Sequence, residues 1–151
     1  MATFGWPEIF FILRATGWTL LLTLVSFLIG SFFGAIIAIM RVSPNPFLRN
    51  FAKGYILIIQ SIPVLMVLFM SYYGLSLMGI ELPAFFAASA SLAVYVSAYL
   101  AEIWRGSIES VPFQQWEASS SLALTRGQQY RHVILPQAMR ISLPPTVGFL
   151  V

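Results

Sequence analysis

Apolar runs long enough to cross a bilayer alternate along this chain with short polar breaks. Residues 16–40 carry no charged side chain. At 1.5 Å rise per residue, about 25 residues exceed the ~30 Å hydrocarbon layer, so the stretch predicts a spanning helix with room to tilt. Residues 41–53 break the pattern with Arg41, Arg49 and Lys53, no acidic partner, and the helix-stopping Pro44 and Pro46. A second apolar run covers 54–78. A turn containing Glu81 follows, and a third run covers 84–104. Residues 106–140 are polar and amphipathic; 144–151 read as the start of a fourth span. Ahead of the first run, Phe4, Trp6, Phe10 and Phe11 surround Glu8 and Arg14 and predict a segment at the membrane interface, with Trp18 at the entrance. A cleaved signal is the weaker reading of this end, because the apolar run is longer than a signal core and no small-residue cleavage site follows it. The expected fold class is therefore an all-α membrane protein, one transmembrane domain over 1–151.

Two spans carry rows of small residues at four-residue spacing: Ser26, Gly30, Gly34 and Ala38 in the first, and Ser89, Ala93, Ser97 and Ala101 in the third. Such rows let helices approach closely. The second span holds Gln60, Ser61 and Pro63. Pro63 lacks a backbone donor and crowds the Ile59 carbonyl, so a kink is expected near Gln60. Irregular backbone at membrane depth survives only against protein or a wet cavity. Gln60, Ser61 and Pro63, with Ser97, are thus candidates for lining a translocation path; a glutamine satisfied by a neighbouring helix is the competing reading.

The polar stretch divides into two short helices that meet near 124–126. Phe113, Trp116 and Ala123 fall close to one face of the first, with Glu117 and Ser120 at its edge. Tyr130, Val133 and Ile134 share a face of the second, and Gln128, Arg131 and His132 share the opposite one. Thr125 and Gln128 have capping-box spacing, so a helix start at Arg126 has local support. Trp116 and Tyr130 are expected on accessible faces, as aromatic anchors for a partner. A flat position on the membrane surface is the alternative, but Glu117 and the serines 119–121 offer little attraction to anionic lipid.

Composition supports the membrane reading and narrows the chemistry. Hydrophobic residues make up 59% of the chain and charged residues only 9%, against about a quarter charged in soluble domains. The basic residues are too few and too dispersed for a nucleic-acid stripe. Seven of the eight Lys and Arg residues lie on one side of the three complete spans, and only Arg14 lies on the other. The positive-inside rule then puts the N-terminus outside and the 106–140 loop in the cytoplasm. There is no cysteine and only one histidine, His132, so neither thiolate chemistry nor a histidine metal cluster is available, and the chain is not read as an enzyme. Glu102, Arg105 and Glu109 have the spacing of helix-surface ion pairs.

The spacing of the loop resembles the EAA loop of ABC importer permeases. That pattern is E-A-A, three residues, G, nine residues, I, one residue, L-P. Glu117, Ala118, Leu135 and Pro136 match it, while Ser119, Ala123 and Val133 depart at the A, G and I positions. If the glycine serves the bend, Ala123 makes a left-handed conformation there costlier by ~1 kcal/mol, with Gly127 nearby to share the role. Residues 98–106, AYLAEIWRG, resemble the exit of the third helix in polar amino acid permeases. Ser110-Val111-Pro112 and Gln115-Trp116-Glu117-Ala118 resemble a following segment, with Gln114 where glycine is usual. Ser61-Ile62-Pro63 is similar to a segment in which Gln60 replaces arginine.

The resemblance implies a permease subunit of an ATP-binding-cassette amino acid importer, five-spanning when full length, with its N-terminus in the periplasm of a bacterial inner membrane. This sequence is then expected to be truncated after the start of the fourth span. It also implies a second permease subunit, identical or related, cytoplasmic ATP-binding subunits that hold the ATP and magnesium, and a solute-binding protein. By the same resemblance Trp116, Glu117, Ala118, Ser119, Leu122 and Ala123 form the coupling contact with the ATPase, supported by Tyr130, Val133, Leu135 and Pro136. A secondary transporter or channel without an ATPase is the alternative.

Overall fold

The computed structural model describes residues 5–150, so the expectations for Phe4 and Val151 lie outside the described residues. The first helix, α1, runs unbroken over Trp6–Val42, about 55 Å at the α-helical rise. The predicted interfacial segment is therefore the first part of the same helix. Its start is capped where the Gly5 N–H donates to Glu8 Oε2 at 2.8 Å. Thr16, Thr19 and Thr23 donate their hydroxyls to carbonyls one turn back, which satisfies them within an apolar surface.

The buried residues of α1 are Ser26, Gly30, Gly34 and Ala38, all four of the small row. They meet α4, Ala84–Glu109. A Cβ built on Gly30 would lie 2.6 Å from Val96 Cγ1 and 2.9 Å from the Ala93 carbonyl oxygen; one on Gly34 would lie 3.1 Å from the Ser97 carbonyl oxygen. Ala38 clusters with Ala101 farther along, and Trp18 packs edge-on against Phe85 near the opposite end. Position numbers rise together on both helices, so α1 and α4 are parallel. The two small-residue rows find their partners in each other.

Because α1 and α4 are parallel, the chain between them must return to the end from which α1 set out. It does so in two arms, α2 (Pro46–Gln60) and α3 (Val64–Leu77), which meet at 92°. The break falls at Ser61–Pro63, where proline ends the hydrogen-bond ladder and disfavours the helical conformation of Ile62 before it. It is far sharper than the predicted kink. Each arm alone is about 22 Å long, short of the ~30 Å hydrocarbon core. The start of α2 is fixed by Asn45, whose Oδ1 accepts the Phe47 N–H at 2.9 Å, with Pro46 at the first helical position. Gly79, at φ +81, turns the chain out of α3.

Beyond α4 come α5 (Phe113–Ser121), α6 (Arg126–Gln128), a π-helical turn over Gln129–Ile134 and α7 (Leu135–Leu150). Residues 144–150 do not begin a new helix but continue the one that starts at Leu135, so α7 runs through Pro144 and Pro145; Pro136 follows directly on the π turn, where the Leu135 N–H reaches back five residues to the Tyr130 carbonyl. Helix α7 runs back along α4. Tyr99 stacks on Phe149 at 5.3 Å, and Trp104 Nε1 donates to Thr146 Oγ1 at 3.0 Å.

Candidate coupling hairpin

Helix α5 and the π turn form a hairpin hung between the end of α4 and the start of α7. Its bend carries a left-handed residue, Ala123 at φ 55. This is the position where the family pattern has glycine, and Gly127 does not relieve it, because it lies inside α6. The next turn starts on the predicted capping box: the Thr125 N–H donates to Gln128 Oε1 at 2.9 Å, and the Gln128 N–H donates to Thr125 Oγ1 at 3.4 Å.

Gln129 ties the limbs together. It is buried, and its Nε2 donates to Ser120 Oγ at 2.9 Å and to the Leu124 carbonyl at 3.2 Å. Gln129 and Ile134, five residues apart, are both buried, the spacing that a π turn brings to one side. At the other end of the hairpin Gln137 Nε2 donates to Gln115 Oε1 at 3.2 Å.

Beneath the hairpin, Ile108, Val111, Ile134 and Ala138 form a buried cluster, with Val42, Trp116, Tyr130 and Val133 packed against it. Trp116 and Tyr130 meet edge to face at 5.0 Å. These aromatics, expected on accessible faces, are half-buried: they pack against the cluster and also line the notch between the limbs. Ser119 is buried too, its hydroxyl donated to the Trp116 carbonyl. The other predicted coupling residues face outward: Glu117, Ala118, Leu122 and Ala123 are exposed, as are Leu135 and Pro136 at the root of α7. Leu122 at 74% exposure and Phe113 at 70% are the large apolar side chains the hairpin presents. Phe113 was grouped with Trp116 on one helix face in the sequence but was not named among the coupling residues. A notch of about 770 Å³ lies between the limbs, lined by Phe113, Glu117, Arg126 and Tyr130 among others.

At the end of α4, Arg105 is paired with both candidate carboxylates: its Nε donates to Glu102 Oε1 at 2.9 Å, and its Nη1 pairs with Glu109. The candidate path residues are not brought into one cavity. Gln60, Ser61 and Pro63 share the α2–α3 bend, with the Ser61 hydroxyl donated to the Leu57 carbonyl at 2.6 Å. Ser97 is buried at the α1–α4 contact and shares a 2.7 Å hydrogen bond with the Tyr55 hydroxyl of α2.

With this architecture in view, the sequence matches over residues 30–149 the family described as binding-protein-dependent transport system inner membrane component. The chain belongs to this family. Among the described residues two helices are long and apolar enough to cross a bilayer, and the bent α2–α3 pair passes the same test together; the chain is a multi-pass membrane protein of the permease type. It is 41% identical over 140 residues to the Bacillus subtilis protein named Probable amino-acid ABC transporter permease protein YckA, covering 93% of this chain and 62% of that protein. With the Bacillus subtilis L-cystine transport system permease protein TcyB it shares 38% identity over 85% of this chain and 55% of the relative. The chain thus spans about three fifths of the length of these relatives. A crystal structure of an amino acid ABC transporter with histidines superposes with a TM-score of 0.85 at 34% identity, covering 99% of this chain and 72% of that one. The methionine transporter MetNI in an inward-facing conformation shares the fold, with a TM-score of 0.81 at 24% identity, over 97% of this chain and 71% of that one.

Proposed function

We propose that this chain acts as the permease subunit of an ABC importer for an amino acid and that the hairpin is its mechanical link to a separate ATPase. The observation that carries the reading is the division of the hairpin's side chains. Trp116, Tyr130 and Val133 pack it against the bundle, while Glu117, Ala118, Leu122 and Phe113 stay free at its surface. An element rooted in α4 and α7 and exposed at its tip can pass force to both helices. Rigid-body rocking of paired bundles needs such a stiff connection to an external free-energy source.

On this reading ATP and magnesium are bound by the partner ATPase and the permease itself is no enzyme. A second permease subunit completes the path, and a solute-binding protein delivers the amino acid. The basic residues Arg41, Arg49 and Arg105 cluster at the hairpin end of the parallel α1–α4 pair, with Arg14 toward the other end. This supports a cytoplasmic hairpin and an external N-terminus. Amino acid cargo is supported by the relatives' names. The test is to purify the complete subunit set in lipid vesicles and measure ATP-driven uptake against a panel of amino acids. Uptake that requires the ATPase and at least one amino acid is expected; uptake independent of any ATPase would favour a secondary transporter instead.

A further inference from the structure

At the end of α1, one guanidinium nitrogen is left without a partner among the described residues. Arg41 Nε is enclosed and makes no hydrogen bond to the described residues. Arg41 and Arg49 line a pocket of about 350 Å³ with Ser43, Glu109, Trp116 and Tyr130. Glu109 is the acidic group facing this pocket, and it is already paired with Arg105 on its own helix. The stretch from Arg41 to Gln60 contains no acidic residue, and Lys53 adds a further positive charge one helical turn beyond Arg49. The pocket therefore holds uncompensated positive charge beside two amphipathic rings of the kind that settle at headgroup level.

Directly upstream on the same helices lies a groove of about 450 Å³ between α1, α2 and α4, with walls that include Ile29, Phe33, Met40, Phe51 and Ala90. Its only side-chain hydroxyls are those of Tyr55 and Ser97, which hydrogen-bond each other. From Ile29 to Met40 it follows about 16 Å of α1. Carbon walls of that length suit a hydrocarbon chain and offer nothing to a zwitterionic amino acid. Met40 borders the groove and Arg41 the pocket, so the apolar and basic parts adjoin along one helix edge.

We propose that this paired groove and pocket hold an anionic phospholipid, its acyl chain along α1 and its phosphate against Arg41 and Arg49, wedged beside Trp116 and Tyr130 at the root of the hairpin. Charge complementarity selects the occupant. A second copy's apolar helix would fill the groove but leave the arginines unanswered. Arginine forks are suited to a phosphate group, and each basic residue near an anionic lipid is worth about a fivefold change in binding. The site stands independently of the transport reading; on the cytoplasmic hairpin orientation proposed above, it lies in the inner leaflet.

The test uses the complete permease with its ATPase subunits, incubated in detergent with equal amounts of phosphatidylglycerol and phosphatidylcholine and weighed by native mass spectrometry. Preferential retention of phosphatidylglycerol is expected. The preference should fall about fivefold in Arg41→Gln and about 25-fold in Arg41→Gln with Arg49→Gln, and stay unchanged in Arg140→Gln, a basic residue outside the pocket. Ala90→Trp, at an exposed position on the groove wall, should reduce retention of the lipid without altering assembly. Equal retention of both lipids by the wild type, undiminished preference in the double arginine variant, or unchanged retention in Ala90→Trp would each overturn the proposal.

Discussion

Gln129 Nε2 donates to Ser120 Oγ at 2.9 Å, a side-chain bond that joins the two limbs of the hairpin across nine residues. The same amide reaches the Leu124 carbonyl, so one side chain serves both the limb and the bend. Gln129→Leu keeps the volume but removes both donors, leaving the Leu124 carbonyl without this partner. Local stability is expected to fall by about 1–2 kcal/mol. Hydrogen exchange should accelerate at amides 113–134 and not in α1. Gln114→Leu, at an exposed position, should change exchange there by less than about 0.5 kcal/mol.

Ala123 holds φ 55 at the bend, a conformation costing a Cβ-bearing residue about 1–2 kcal/mol. Ala123→Gly should therefore stabilise the folded hairpin by up to about 1 kcal/mol, less the greater freedom glycine gains when unfolded. Ala123→Val should destabilise it, because branching at Cβ worsens the same clash. Thermal unfolding of the purified permease, with exchange at 113–134, separates the two directions.

The close approach of α1 to α4 makes its glycines unequal. Gly30→Ala would put a methyl 2.6 Å from Val96 Cγ1 and 2.9 Å from the Ala93 carbonyl. Turning the valine moves Cγ1 but not its Cβ, 2.7 Å from the added methyl, nor the Ala93 backbone, so a loss of about 1–3 kcal/mol is expected. Gly34→Ala, 3.1 Å from the Ser97 carbonyl, should cost less. Gly17→Ala and Gly74→Ala meet nothing within 4 Å and should be neutral or slightly stabilising. Midpoints of detergent-solubilised unfolding rank the four.

Glu117 and Leu122 lie exposed on the hairpin, so changing them tests coupling apart from folding. Glu117→Lys and Leu122→Asp should leave membrane insertion and unfolding midpoints unchanged. ATP-driven uptake and the ATPase's response to substrate should fall by at least about 30-fold, the scale of losing an interface anchor. Wild-type uptake by both variants would remove these residues from the coupling contact. Tyr130→Ala, in contrast, should lower stability as well, because its ring packs on Trp116 and the cluster beneath.

Much of this arrangement was legible in the chain because the signals were local. Charge-free runs and prolines marked the helices, four-residue spacing exposed the two small rows, and Thr125 with Gln128 marked a helix start that the hydrogen bonds reproduce. The pattern from Glu117 to Pro136 identified the hairpin, and the departure from glycine at 123 located the strained residue. Each of these depends on neighbours within a few positions, where backbone geometry leaves few choices.

What needed the tertiary structure were facts about which face meets which element. Only the cluster around Ile108 and Ile134 shows that Trp116 and Tyr130 each pack one side against the bundle and keep the other at the notch. Pro63 promised a kink, but the 92° angle is a tertiary fact, with α2 packed against both α1 and α4 and α3 packed against α4. The span expected to start at 144 is instead the continuation of α7 through Pro144 and Pro145, held along α4 by Tyr99, Phe149, Trp104 and Thr146. A single sequence sets periodicity and local propensity. Helix rotation and the depth of each side chain are set by long-range packing, in which residues tens of positions apart share one surface.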